Sequence, residues 1–361
     1  MTKPNNYSLS NHYLSLIHKH LDNKLPFVWF RPAGDANVQV WLQQDVRFNT
    51  YNPRSKSKGF VFAPFDKAKP VLIFPDDQCT SISVPLWDAP WTKIQTNKLS
   101  SEDQKIYEER VAKAIETIKI SDLKKVVLSR AVTYDMPKMD CFAVFSTLAQ
   151  SYSTAFTYAL YHPQIGLWVG ATPEQLVRVD RTRLETVALA GTALWNSVDS
   201  LNWGEKEKTE QQLVVEDIRE TLASFTDHWK ISDSSTVQAG PLAHLKTAIE
   251  VQLKEDCLDD VFSVAELLHP TAAVCGFPRL LSLEFVRQIE SHDREYYTGF
   301  LGSIDEGTNR LDLYVNLRCM KVEGGKAVLY AGGGLTKGSI PSKEYEETEQ
   351  KLDTIRQILF A

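Results

Sequence analysis

The apolar residues of this chain come in short runs, and the runs come in clumps. "FVWFRP", "NVQVWLQQ", "GFVFAPF" and "PVLIFP" follow one another between residues 27 and 75, with Pro, Gly and Asn between them. Runs this short, bounded by turn formers, read as strands of one antiparallel sheet. A second clump, "AFTYALYHP", "GLWVGATPEQLVRVD" and "RLETVALAGTA", reads as three strands with turns. "YTGFLGSID", "RLDLYVNLRCMKVEG" and "KAVLYAGGG" read as a second meander. Helical patterns cover residues 10–22, 100–119, 140–152, 204–226, 278–290 and 343–359, and a strand covers 124–134. Ser100 or Ser101 is the expected N-cap of the second helix. Strands and helices in clumps predict an α+β fold, layered antiparallel sheets flanked by helices, rather than a doubly wound parallel sheet.

Composition narrows the function classes. The net charge is -6, so no basic surface recommends a nucleic-acid or anionic-membrane partner. The longest apolar runs are far too short to cross a bilayer. "MTKPNNYSLSNHYLSLIHKHL" has no long apolar core, so no signal peptide is expected there. The five cysteines are scattered and no pair has metal-ligand spacing. They read as reduced thiols of a cytoplasmic protein, and no zinc site is expected.

Charged residues stand where apolar ones belong. In the 204–226 helix, Val214, Ile218, Leu222 and Phe225 form one stripe. At about 100° per residue, Glu207 falls on the centre of that stripe and Glu210 about 60° to one side. An acid facing the core needs a partner or a cation; alternatively these are first-turn acids favoured by the helix dipole. In the last helix Glu344, Glu347 and Lys351 flank the apolar face of Leu352, Ile355 and Leu359, where Glu347 and Lys351 could equally form an ordinary i,i+4 surface pair. Two helices offering acids near their buried sides resemble a Mg²⁺ site, since magnesium takes a few carboxylates, water and an anionic ligand.

Other segments carry similar alternatives. In "LKKVVLSR", Lys125, Val127 and Ser129 share one face, while Lys124, Val126, Leu128 and Arg130 share the other. Such lysines either snorkel to water or serve a site. In "GATPEQLVRV", Pro173 blocks the ladder, so a bulge or turn should present Glu174, either to a cleft or as a plain turn acid. Gly332, Gly333 and Gly334 follow a strand and could hold a carboxylate on exposed backbone N–H groups. Arg318, read as mid-strand, could grip a carboxylate or form a structural ion pair.

The pieces "KVVLSR", "GATPE", "LAGTA", "LLHPTAAVCGFPR", "DREYYTGFLG", "LYVNLRC", "YAGGGL" and "KEYEETEQKL" occur in one order. In that order the chain resembles the chorismate-utilising enzymes, a family that includes isochorismate, salicylate, anthranilate and aminodeoxychorismate synthases. The resemblance covers about residues 120–361. It implies the chorismate-binding fold of anthranilate synthase component I, with 1–361 as one domain: a variable N-terminal part, about 1–99, and a catalytic part, about 100–361.

The resemblance also implies roles. The lysine before "VVLSR", Lys125, is the water-activating base, and Glu174 of "TPE" is the general acid. Glu210 and Glu347 are Mg²⁺ ligands, with Glu207 and Glu344 beside the metal. Arg318, Gly332, Gly333, Gly334 and Lys351 grip substrate carboxylate. Ala190, Gly191 and Thr192 of "LAGTA" contact substrate, and His269 of "LLHPT" lines the ring pocket. Ala190 stands where aminodeoxychorismate synthases often carry a nucleophilic lysine. Ala193 and "HPTAAV" depart from the commoner Arg and "HPTPAV". The implied activity is isochorismate synthase, with water added to chorismate at C2 and the C4 hydroxyl lost. Mg²⁺ is the implied cofactor; no glutamine amidotransferase is needed, and a monomer or small homo-oligomer is expected. Salicylate synthase and a non-catalytic chorismate-binding regulatory protein are the alternatives.

Overall fold

At Pro173 the chain leaves one sheet and enters another. The strand Gly166–Thr172 ends there, and Gln175–Asp180 begins in the second sheet. Proline cannot donate to a ladder, so the run that reads as one strand is two. The same happens at residues 316–318, between Arg310–Val315 and Cys319–Glu323. The two crossings are bonded together. Thr172 Oγ1 donates to the Val315 carbonyl at 2.7 Å, the Val315 N–H donates to the Glu174 carbonyl at 2.9 Å, and the Ala171 N–H donates to the Arg318 carbonyl at 3.1 Å. Glu174 and Arg318 are therefore fixed side by side where the sheets part.

The computed structural model describes residues 11–101, 104–195, 202–240 and 242–361. Seven α-helices lie among the described residues: α1 (Asn11–Asp22), α2 (Gln104–Ile120), α3 (Cys141–Ser151), α4 (Glu205–Leu222), α5 (Phe262–Leu268), α6 (Arg279–Ile289) and α7 (Pro341–Leu359). The first sheet has ten strands, with Lys125–Asp135 and Lys326–Leu335 adjacent near one edge. The second has nine, with Arg183–Leu194 between Leu242–Gln252 and Gln175–Asp180. Every strand pair within these sheets is antiparallel. No helix among the described residues is long and apolar enough to cross a membrane.

The core is layered. Phe60, Phe62 and Leu301 of the second sheet meet Phe30, Tyr158 and Trp168 of the first. The outer face of the first sheet is covered by α1, α3 and α7, and that of the second by α4 and α5. Helices α2 and α6 close a smaller cluster on Val126, Leu128 and Leu335. Each large apolar side chain so buried contributes about 1.5–3 kcal/mol. Within this frame Glu210 of α4 and Lys351 and Thr354 of α7 reach the crossings.

Several expectations change. The first clump is not one sheet: Phe27–Arg31 and Asn37–Gln43 join the first sheet, Lys58–Ala63 and Leu72–Pro75 the second. Ser100 and Ser101 are not caps but end the strand Lys98–Ser101, which pairs with Lys125–Asp135. Gly332, Gly333 and Gly334 do not follow a strand; they lie inside one, opposite Ser129, Leu128 and Val127. Arg318 is not mid-strand but sits in the second crossing with φ 47°, a conformation side chains other than glycine seldom take.

Asp217 of α4 holds the helix to the segment that follows α5. Its carboxylate accepts from the Ala272 N–H at 3.0 Å and from Arg279 Nε at 2.7 Å, almost out of solvent. Asp217→Ala strands both donors, and we expect a loss of about 2–3 kcal/mol in urea unfolding. Loss of under 0.5 kcal/mol would show that this tie does not fix α4.

Candidate active site

A cavity of about 660 Å³, its mouth included, opens at the crossings. Glu174 enters from the first and Arg318 from the second. Ala190, Gly191 and Thr192 line it from the strand Arg183–Leu194, where the register shifts between Ala190 and Ala193. That irregularity, with Gly191 at φ 69°, turns the strand's backbone toward the space. Gly332, Gly334 and Lys351 close the far wall.

Glu174 is 5% exposed. Burial pushes its carboxyl up to about 7, even against the charges of Lys125, Lys351 and Arg318. Arg318 is held from two sides. Its Nη1 donates to Thr354 Oγ1 of α7 at 2.8 Å, and its Nη2 lies 3.4 Å from His244 Nε2. Burial lowers its basicity. His244 Nδ1 lies 2.8 Å from the Gly191 carbonyl, so that nitrogen carries the proton and Nε2 faces the guanidinium. Burial, helped by Arg318 and Lys351, pushes His244 down to about 3 and keeps it neutral.

Lys125 is fully buried, whereas Lys124 is exposed. The Lys125 amine lies 3.2 Å from Glu210 Oε1, an ion-pair distance without hydrogen-bond geometry, and it finds no hydrogen-bond partner. Lys125 sits just behind the cavity wall formed by Glu210 and Gly334. Any Cβ at position 334 would stand 2.0 Å from Glu210 Oε1 and 3.1 Å from Lys125 Cε. This glycine therefore admits the pair to the wall rather than binding an anion through its freedom of φ.

Beside the cavity, Glu210 of α4 meets Glu344 and Glu347 of α7. Lys351 donates to Glu347 Oε1 at 2.6 Å and to the Gly332 carbonyl at 2.8 Å. Lys206 Nζ stands 3.1 Å from Glu344 Oε1, 3.8 Å from Glu210 Oε2 and 3.9 Å from Glu347 Oε2. Although burial works against it, Glu347 is held down to about 2 by Lys351 and Lys206. Burial pushes Glu344 up to about 7, opposed by Lys206 and aided by Glu347. Glu344 Oε2 is buried with no hydrogen-bond partner. Glu207 and Lys206 lie on an outer groove that shares Thr192 with the cavity.

The structure thus gathers Glu174, Ala190, Gly191, Thr192, Arg318, Gly332, Gly334, Lys351 and Glu210 around one cavity, with Lys125 behind it. Gly333 does not line it: a Cβ there would point at Glu344 Oε2, 3.4 Å away. Nor does His269 line it. His269 Nε2 lies 3.1 Å from the Pro64 carbonyl and 3.2 Å from that of Phe65, and burial pushes the ring down to about 4. The imidazole facing the cavity is His244, which the sequence reading passed over. Its signal was one titratable ring in the otherwise strand-like "LAHLKT". Lys206 was missed too, although it stands four residues before Glu210.

Among the described residues no three His, Cys, Asp or Glu side chains stand in a metal-holding array. The cation among the carboxylates is Lys206. The donor set nevertheless suits a hard divalent ion: carboxylate oxygens from two helices, one of them buried and unpartnered.

Comparison with known proteins agrees with this architecture. The family described as chorismate binding enzyme matches residues 83–360. Over 271 residues the chain is 32% identical to the salicylate biosynthesis isochorismate synthase of Pseudomonas aeruginosa, covering 73% of this chain and 56% of that protein. It is 31% identical over 330 residues to the vibriobactin-specific isochorismate synthase of Vibrio cholerae, covering 87% and 81%. The menaquinone-specific isochorismate synthase of Escherichia coli shares the fold with a TM-score of 0.78 at 22% identity, over 93% of this chain and 89% of that one. The matched span contains both crossings, the cavity walls and the carboxylate cluster, and the chain belongs to the chorismate-binding enzyme family.

Proposed function

We propose that this chain is an isochorismate synthase, exchanging the C4 hydroxyl of chorismate for a hydroxyl at C2 with Mg²⁺ as cofactor. One observation carries the reading. A carboxyl that keeps its proton to about 7, Glu174, faces a cavity whose wall hides a buried amine, Lys125, close enough for its charge to be felt at Glu174. An acid and a base held apart across one hollow are what a paired proton transfer needs. Isochorismate synthases among the relatives support the choice of reaction.

The chain's own groups then divide the work. Arg318 and Lys351 give the cavity two cations for the substrate's carboxylates. His244, neutral and anchored on Gly191, keeps the Arg318 fork turned inward. In its amine form Lys125 takes a proton from the attacking water as that oxygen bonds to C2. The ring double bond shifts, the C4–O bond breaks, and Glu174 gives its proton to the departing hydroxyl. Water is consumed and released in equal measure, and return of the proton from Lys125 to Glu174 through solvent resets the pair. Mg²⁺ held by Glu210 and Glu347 would supply charge neutralisation and a fixed point for a substrate carboxylate. The contact between Lys125 and Glu210 is the one that must loosen before Lys125 can act.

We also take residues 1–361 as one domain, because strands before residue 99 are members of both sheets. We place the chain in the cytoplasm, its five cysteines forming no disulfide.

Lys125→Ala should lower turnover by about 10²–10⁴-fold, the usual worth of a general base, while Lys124→Ala stays near wild type. Equal effects would end the assignment. Products are read by chromatography, and pyruvate released with salicylate would replace isochorismate synthase by salicylate synthase.

Glu174 predicts two pH effects. As general acid it must be protonated, so kcat/KM should fall as pH rises through about 7, and Glu174→Gln should be inactive at every pH. The folded carboxyl holds its proton to about 7 and the ordinary one to 4.5. Between these values the folded state binds more protons, so this group's contribution to stability declines as pH rises through that window and is level above it. Glu174→Gln should therefore gain stability relative to wild type from pH 4.5 to 7, measured by urea unfolding. A flat difference would remove the raised value.

A further inference from the structure

The carboxylates beside the cavity divide their oxygens between two kinds of partner. Glu210 turns Oε1 to Lys125 and Oε2 to Lys206. Glu347 turns Oε1 to Lys351 and Oε2 to Lys206. Glu344 turns Oε1 to Lys206 and leaves Oε2 unpartnered in the interior. Three oxygens from two helices thus face one point, and the ammonium of Lys206 stands on it. Lys125 and Lys351 are bound at the edges of the cluster; Lys206 is at its centre.

We propose that Lys206 is a built-in rival of the divalent cation: its ammonium holds the carboxylate cluster together in the metal-free protein and is displaced when Mg²⁺ enters. The proposal rests on the metal reading given above and adds to it the residue that sets the ion's affinity. Three carboxylates in a mostly buried cleft repel one another unless a cation lies among them. Lys206 supplies that cation from the first turn of α4, within 4 Å of all three. Magnesium binds oxygen at about 2.0–2.1 Å and tolerates no second cation at the same point. The lysine contacts of 3.1–3.9 Å are those of an ammonium, so one must leave for the other. Lys206 has a way out, since its side chain also forms part of the open outer groove.

Charge counting shows the consequence. Glu210, Glu344 and Glu347 face Lys125, Lys206 and Lys351, three acids to three lysines. A divalent ion that takes the place of Lys206, with Lys125 and Lys351 still beside the three acids, leaves excess positive charge, which an anionic substrate would offset. Mg²⁺ alone should therefore bind weakly, and removal of the Lys206 charge should tighten it.

The test is calorimetric titration of the full chain with MgCl₂ alone, repeated with chorismate present. Lys206→Gln should bind Mg²⁺ at least tenfold more tightly than wild type in the absence of chorismate. It should also lower the Tm measured in EDTA by more than the Tm measured in saturating Mg²⁺. Lys206→Arg keeps the charge and should leave Mg²⁺ binding within threefold of wild type. Unchanged or weaker Mg²⁺ binding by Lys206→Gln would overturn the proposal, as would tightening by Lys206→Arg equal to that by Lys206→Gln. Failure of the wild-type chain to bind Mg²⁺ even with chorismate would instead remove the metal reading, and the proposal with it.

Discussion

Like charges cannot share a buried cleft without compensation, and this site is organised around that fact. Glu210, Glu344 and Glu347 come from two helices to one place beside the cavity, and each meets a lysine there. Their compensation sets everything adjacent. It fixes Lys125 behind the wall, brings Lys351 onto the Gly332 carbonyl, and requires a residue without a side chain at position 334. Removing any one partner would leave an uncompensated charge in the interior, at a cost of several kcal/mol.

The fold supplies the position for this cluster through its crossings. Two strand pairs pass from one sheet to the other side by side, and the gap they leave is the cavity. Glu174 sits in one crossing and Arg318 in the other, locked by bonds from the Thr172 hydroxyl to the Val315 carbonyl, the Val315 N–H to the Glu174 carbonyl and the Ala171 N–H to the Arg318 carbonyl. Neither residue belongs to a regular strand. That frees each side chain from the in-and-out alternation of the ladder and lets it point into the gap. A proline at the first crossing and a positive φ at the second are the local signs of this arrangement.

Much of this was legible in the residues. Periodicity placed six of the seven helices, and clumped strands gave α+β layering. Pro173 marked its crossing because loss of an N–H is a local property. The second crossing was not legible: "YVNLRCM" contains neither Pro nor Gly, and Arg318 reads as an ordinary strand residue. The division of strands between two sheets was also hidden, since inner faces of both sheets are apolar and nothing local separates them. The acids of α4 and α7 stood out because charge on an apolar stripe demands a partner. Lys206 and His244 did not, because their partners lie on other elements. His269 shows the converse. Its motif was conspicuous, yet its imidazole serves two backbone carbonyls away from the cavity.

In the proposed reaction an outside water attacks one ring carbon while Glu174 releases the hydroxyl of another. The most direct measurement is turnover of chorismate in H₂¹⁸O, with mass-spectrometric location of the label. Isochorismate should carry ¹⁸O at C2, with the original C4 oxygen lost to solvent. Isochorismate that keeps the original oxygen would show internal transfer of the hydroxyl and contradict it, as would a chain that binds chorismate and Mg²⁺ without forming any product.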